Sequence, residues 1–263
     1  PLNPSHLKRS TNMANILLLD IENAPNLAHV WKIWDENIGL SQLLEESYIL
    51  SYAAKWYDEP DIYFDSIHNR SKRKMLRGIH ALMDEADIII HYNGNRHDIP
   101  HLNRSFLEEN LSPPSPSKQI DLLTTVKNRF KFPSNKLEYV VKALGLGEKV
   151  RNVEGHILWR KCMADDPVAW KQMERYNIHD VVLLERLYTY LRPWIRNHPN
   201  LGVYQEDALV CPVCAGTSYV ERKTTVTKER VYKQYQCKTG TCRAWFRDTK
   251  SSGPKAGQKF STS

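Results

Sequence analysis

Short apolar runs punctuated by polar turns fill the first hundred residues: "ILLL" at 16–19 and "III" at 88–90 are each bounded by acidic or amide side chains. Continuous runs of this length suit strands buried on both faces of a sheet. Between them, "YILSYAAKWYD" and "DIYFDSI" predict a hairpin turning at Glu59-Pro60. Helical spacing predicts helices over 71–86, 100–110, 135–144 and 167–192. In the last of these, Tyr176, Val181, Leu184, Leu187, Tyr188 and Leu191 trace one apolar stripe. Helices follow strands, so the expected class is α/β with a mixed sheet flanked by helices. The Pro/Ser stretch "LSPPSPSKQ" at 111–119 is a loop that no helix crosses. No run reaches the ~18 apolar residues of a membrane-spanning helix. The polar opening "PLNPSHLKRSTN" lacks the apolar core of a signal peptide, and residues 1–13 are expected to be a leader or a cloning remnant.

The first apolar run ends in "DIEN", an arrangement that is costly unless something neutralises it. Strand side chains alternate, so Asp20 and Glu22 share one face, and two like charges held together call for a cation. Mg²⁺ and Mn²⁺ take hard oxygen ligands, and two such ions can clamp the attacking and leaving oxygens of a phosphodiester. Asp98 sits in "YNGNRHDIPHL" directly after the second apolar strand. There Gly94 permits a turn, Asn93 and Asn95 are uncharged hydrogen-bonders, and an N-cap of the next helix is the competing role for Asp98. Asp180 lies four residues after Tyr176 in "RYNIHDVVLLERLY", which stacks phenol and carboxylate on one helical face.

In order and spacing, Asp20-x-Glu22, then Asn-Gly-Asn before Asp98, then Tyr176-x-x-x-Asp180 resemble the three motifs of the DnaQ-like DEDD 3′→5′ exonucleases. The tyrosine four before the last acid resembles the tyrosine subclass. The histidine subclass places its histidine five before, where this chain has Arg175, and His179 is expected to point elsewhere. The resemblance spans roughly residues 14–192 and includes Asp121 in "QIDLL" and the segment "NKLEYVVKALGLGEK"; "VWKIWDENIGL" and "AAKWY" look like phage and prophage members. It implies a ribonuclease-H-like fold in which Asp20, Glu22, Asp98 and Asp180 hold two Mg²⁺ or Mn²⁺ ions and Tyr176 orients a water. It also implies that Ala24, Pro25, Asn26 and Leu27 pack the terminal nucleotide. Trp31 and Trp34 could stack on a base, or could be core aromatics of a helix. Asn95 and Arg96 join the expected substrate contacts, with Lys136 and the "RSKRK" run at 70–74 as further phosphate candidates or solvated helix faces. Asp121 is expected to be structural, Cys162 a buried small apolar residue, and His91, His97 and His101 lack the spacing of a zinc hydrolase.

Four cysteines crowd the last quarter as "CPVC" (Cys211, Cys214) and "CKTGTC" (Cys237, Cys242), with 22 residues between the pairs. Two short knuckles around an aromatic spacer resemble a zinc ribbon, where one structural Zn²⁺ replaces a core too small to fold unaided. Two disulfides and a redox pair are the competing readings. Residues 201–263 hold 11 Lys/Arg against 5 Asp/Glu, a balance of +6 that leaves +1 of the total +7 for the rest. Basic and aromatic residues interleave there, which suits a nucleic acid strand, with protein docking as the alternative.

The expected organisation is therefore a leader (1–13), an exonuclease domain (14–195), a linker (196–207), a zinc ribbon (208–248) and a disordered basic tail (249–263). The expected activity is metal-dependent 3′→5′ hydrolysis of single-stranded DNA from its 3′ end, in the cytoplasm of a bacterium or phage-infected cell, with no membrane contact. A ribonuclease or structure-specific nuclease, or a non-catalytic nucleic-acid-binding adaptor, are the alternatives.

Overall fold

The computed structural model describes residues 13–150, 156–205, 209–227 and 230–252. Most of the expected leader (all but Met13) and most of the expected tail lie outside these residues. The chain forms two compact units, one over Asn15–Leu187 and one continuing from Tyr188.

The larger unit begins with β1 (Ile16–Asn23), a short ribbon of β2 (Leu27–Ala28) and β3 (Leu43–Glu45), and then β4 (Ile49–Trp56) and β5 (Ile62–Ser66). It continues with α1 (Lys72–Glu85), β6 (Ile88–His91), α2 (Asp98–Glu108), β7 (Lys118–Asp121), α3 (Leu122–Arg129), α4 (Leu137–Ala143), α5 (His156–Met163) and α6 (Pro167–Leu191), whose last turn belongs to the second unit. The main sheet has five strands in the order β5-β4-β1-β6-β7. β1 is central, antiparallel to β4 and parallel to β6, and β6 is parallel to β7. This is the mixed, helix-flanked sheet of a ribonuclease-H-like fold, and the hairpin around Glu59-Pro60 forms as β4 and β5.

Alternation along β1 sorts its side chains. Leu17, Leu19 and Ile21 pack with Met75, Leu76 and Ile79 of α1 and with Leu102 and Phe106 of α2. Asp20 and Glu22 therefore face the other side, toward α6, whose Asn177 bonds to Asp20. The register between β1 and β4 slips at Glu22/Asn23. Such an irregularity bends a strand and re-aims its side chains. A second cluster, Leu50 with Leu158, Cys162, Trp170 and Met173, fastens α5 and α6 beneath Ala24 at the end of β1. Cys162 is buried there, as its sequence context suggests.

All four predicted helices are present. Five elements of this unit were not predicted: β2, β3, α3, α5 and β7 are all short, and β7 alternates poorly, with two exposed residues followed by two buried. Trp31 and Trp34 are not the core aromatics of a helix. They lie in a non-helical excursion between β2 and β3 and are 92% and 80% exposed. The 70–74 run is largely engaged in ion pairs: Arg70 with Asp65, Lys72 with Glu108 and Arg73 with Glu109.

The second unit contains a three-stranded antiparallel sheet of β8 (Tyr219–Val226), β9 (Val231–Cys237) and β10 (Trp245–Arg247), in the order β10-β9-β8. Within the expected linker, Leu201–Tyr204 form a 3₁₀ turn, and the Leu201 N–H donates to the Pro212 carbonyl at 2.7 Å. At the far end, the Ser252 N–H donates to the Val231 carbonyl at 2.9 Å. Among the described residues no helix is long and apolar enough to cross a membrane.

Candidate metal centre

Asp20, Glu22 and Asp180 each turn a carboxylate oxygen into one spot, with these atoms all within 4.8 Å of one another. Two come from the central strand and one from α6, so elements 160 residues apart in sequence build the cluster. Asp98 is beside this trio without being part of it. As the first residue of α2 it is buried, and its Oδ1 accepts the Ile21 N–H at 3.1 Å, which ties it to β1 between the two strand acids.

Neighbouring side chains lock the trio. Asn177, buried on α6, donates to Asp20 Oδ2 at 2.7 Å, while its Oδ1 accepts from Ser51 of β4 at 3.1 Å. The Trp159 indole donates to Glu22, and its ring meets Tyr176 edge to face at 5.8 Å between centroids. Lys149 donates to Asp180 Oδ2 and, at 3.1 Å, to the Tyr176 hydroxyl. Asp180 Oδ1 is buried with no hydrogen-bond partner among the described residues.

The electrostatics follow from crowding. Burial, then Glu22, Asp98 and Asp180, hold Asp20 well above the usual carboxylate range. Burial and Asp180 push Glu22 up to about 8, against the pull of Lys149. Burial lifts Asp98 to about 6, opposed by the Ile21 N–H. Burial also raises Asp180, with Lys149 opposing. Tyr176 is pushed up to about 12 by burial and Asp180. A cluster whose members all resist ionisation, and which leaves one oxygen orphaned, fits a hard divalent cation.

The turn that delivers Asp98 is tightly specified. Asn93 adopts a left-handed conformation (φ 70°), and its N–H donates to Asp121 Oδ1, which also accepts the Leu123 N–H that starts α3. Asp121 is thus a brace, in keeping with its expected structural role. His91 is fully buried; its Nδ1 accepts the Gly94 N–H and its Nε2 faces Gln119. A Cβ on Gly94 would lie 2.3 Å from His91 Cγ. Gly94→Ala is therefore expected to cost about 2 kcal/mol or more, read as a lower urea midpoint. An unchanged midpoint would show that the turn can yield.

Two concavities flank the cluster. One, of about 640 Å³, holds Glu22, Ala24, Pro25, Asn26, His97 and Trp159 among its walls. The other, of about 530 Å³, is walled by Tyr176, Lys149, Lys127, Lys136, Asn135 and Tyr92 among others. Of the expected substrate contacts, Ala24, Pro25 and Asn26 line the first, whereas Leu27, Trp31, Asn95 and Arg96 line neither. His179 points away and bonds to the Glu148 carbonyl at 2.7 Å, as expected. Sequence reasoning missed Lys149, Asn177 and Trp159. Asn177 offers a weak signal, a polar residue inside the stripe of α6; Lys149 offers none.

In the second unit the sulfurs of Cys211, Cys214, Cys237 and Cys242 also lie within 4.8 Å of one another and form no disulfide. Cys214 and Cys237 are 3.7 Å apart, close to the ~3.8 Å edge of a tetrahedron with ~2.3 Å zinc–sulfur bonds. The residues fit a structural zinc ion. Around them Arg247 stands over Tyr232 at 4.3 Å, and Lys223 over Trp245 at 5.7 Å.

Residues 33–192 match the family model of the RNase H superfamily, and the chain belongs to that superfamily. The matched segment starts beyond β1, so the placement of Asp20 and Glu22 rests on geometry. No curated protein matches. Among solved structures, the family B DNA polymerase from the hyperthermophilic archaeon Pyrobaculum calidifontis is similar, with a TM-score of 0.55 and 17% identity over 85% of this chain. The match takes in 33% of the polymerase chain, so this protein corresponds to about a third of its length, and the likeness is one of fold. Superfamily and fold together support a nuclease.

Proposed function

We propose that the protein is a divalent-metal-dependent 3′→5′ exonuclease of the DEDD tyrosine type, acting on single-stranded DNA. The observation that carries this reading is the convergence of carboxylate oxygens of Asp20, Glu22 and Asp180 within 4.8 Å, with Asp180 Oδ1 unpartnered among the described residues. Asp20, Glu22, Asp98 and Asp180 are the residues that would hold two Mg²⁺ or Mn²⁺ ions. When bound, such ions neutralise the developing charge of a phosphodiester displacement and lower the pKa of a water.

The chain's own residues do the rest. Asn177 and Trp159 fix the orientations of Asp20 and Glu22, and the Ile21 N–H fixes Asp98. With its phenol pushed up to about 12, Tyr176 stays protonated at neutral pH, so it orients a nucleophilic water rather than deprotonating it. The concavity beside Glu22 receives the terminal nucleotide against Ala24, Pro25 and Asn26, with Asn95 and Arg96 nearby in sequence to Asp98. Leu27 and Trp31 lie on the exposed excursion beyond, where Trp31 can stack on a base. The four cysteines hold one Zn²⁺, and the basic, aromatic sheet beside them adds affinity for the strand or docks a protein.

The test is to incubate 3′- and 5′-labelled single strands of DNA and RNA with Mg²⁺, Mn²⁺ or EDTA. The expected result is a ladder shortening from the 3′ end, lost in EDTA. Binding without cleavage would overturn the enzyme in favour of an adaptor, and cleavage of RNA alone would move the substrate class. Within this assay Tyr176→Phe is expected to lose about tenfold to a hundredfold, and Asp98→Ala about a thousandfold or more. Equal losses would contradict the roles given to them.

A further inference from the structure

Asp180 is divided between two fates. Its Oδ2 is held by the Lys149 ammonium, and its buried Oδ1 has no hydrogen-bond partner among the described residues. Lys149 is also fastened from its other side, donating to the Tyr176 hydroxyl at 3.1 Å and standing 5.0 Å from the centre of that ring. Its side chain is only 21% exposed, so its charge is committed to the site and poorly screened. Three carboxylates gathered within 4.8 Å would repel strongly without such a charge. No spacing in the sequence marks Lys149, and it is not one of the acids or the tyrosine on which the functional reading stands.

We propose that Lys149 is a tethered counter-cation. It takes the place of a metal ion at Asp180 Oδ2 while the site is empty of metal, and competes with the ions for that oxygen. The inference rests on the metal site proposed above. While the ammonium holds Oδ2, Asp180 offers one oxygen to a metal, and full occupancy of the site requires the lysine to let go. Lys149 thus stabilises the metal-free protein and weakens metal binding, which sets the divalent concentration at which the site fills. It is a positioning residue for Asp180 and Tyr176.

Titration of the full chain with Mn²⁺ by calorimetry, alongside thermal melts of the metal-free protein, tests this. Lys149→Met is expected to bind Mn²⁺ about tenfold tighter, a modest figure for removing one like charge at contact distance. It is also expected to melt lower than wild type without metal and to gain more from metal. Lys149→Arg, which keeps the charge, should restore wild-type behaviour within about threefold on the same scale. Should Lys149→Met fail to fold, Lys149→Gln is read in its place, since it keeps a donor and drops the charge. Unchanged or weaker Mn²⁺ binding in the uncharged variants overturns the proposal and leaves Lys149 a structural brace or a phosphate ligand. Wild-type protein that binds Mn²⁺ nowhere near Asp20, judged by an unaltered titration in Asp20→Asn, overturns the metal site itself.

Discussion

Asp20→Asn is expected to abolish hydrolysis, by about a thousandfold or more, while making the metal-free protein more stable. The side chain keeps its shape and can still meet Asn177, but the charge that repels Glu22, Asp98 and Asp180 is gone. The same reasoning fixes the pH dependence. In the folded protein Glu22 moves from an ordinary value of 4.5 to about 8, and Asp98 from 3.8 to about 6, both upward. Between the unfolded and folded values the native state carries more protons than the unfolded chain, so stability falls as pH rises. The penalty is absent below the ordinary values and complete above about pH 8, the folded value for Glu22. Metal-free wild type should accordingly melt about 5 °C or more higher at pH 5 than at pH 8, a few kcal/mol for a chain of this size. Mg²⁺ should remove that difference, because it replaces the protons and binds more tightly as pH rises. In Asp20→Asn both the pH slope and the metal-induced rise in Tm should shrink together. A variant that kept the full metal response would place the ion elsewhere.

The second large effect concerns the cysteines. The buried cluster there consists of Cys211, Cys237, Cys242 and Ala244, with Val213, Cys214 and Phe246 packed against it. So small a core cannot offset the chain entropy of some forty residues. Zinc held by four thiolates contributes roughly 10–16 kcal/mol of apparent binding free energy to such units. Cys211→Ser should therefore unfold residues 209–252 while the melt of the Asn15–Leu187 unit persists. Trypsin is the direct probe: Arg222, Lys223, Arg230 and Lys233, on or beside β8 and β9, should be cut rapidly in the variant and slowly in wild type. Equal protection would mean that the sheet stands without metal.

Much of this arrangement could be read from residue order because it is written in burial. β1 and β6 are central strands, so their apolar runs are continuous, and α1 and α6 carry long stripes that face the sheet. Asp20 and Glu22 were legible as a pair because strand periodicity leaves one choice of face. The elements that were missed lack such regularity. α3 starts from a capping aspartate and runs through two threonines, which lower helical preference, and α5 shows only two fully buried residues, Leu158 and Cys162. Asp98 stands apart from the trio because its oxygen is committed to the Ile21 N–H, a tertiary bond across 77 residues that no local pattern encodes. Lys149 reaches Asp180 across 31 residues from an irregular segment, and Trp31 and Trp34 stayed open between two roles because an aromatic pair at helical spacing reads the same in a helix and in an exposed excursion.

The strand order carries one more consequence. β1 is made first, yet its partner β6 lies 72 residues downstream in register, and the acid that completes its pocket arrives only with α6. The hairpin of β4 and β5 can close early, but Asp20 and Glu22, already paired on β1, gain Asp180 only when α6 docks. A polypeptide severed before α6 would keep the acid pair of β1 but lack Asp180, so the proposed site is complete only once that helix is in place.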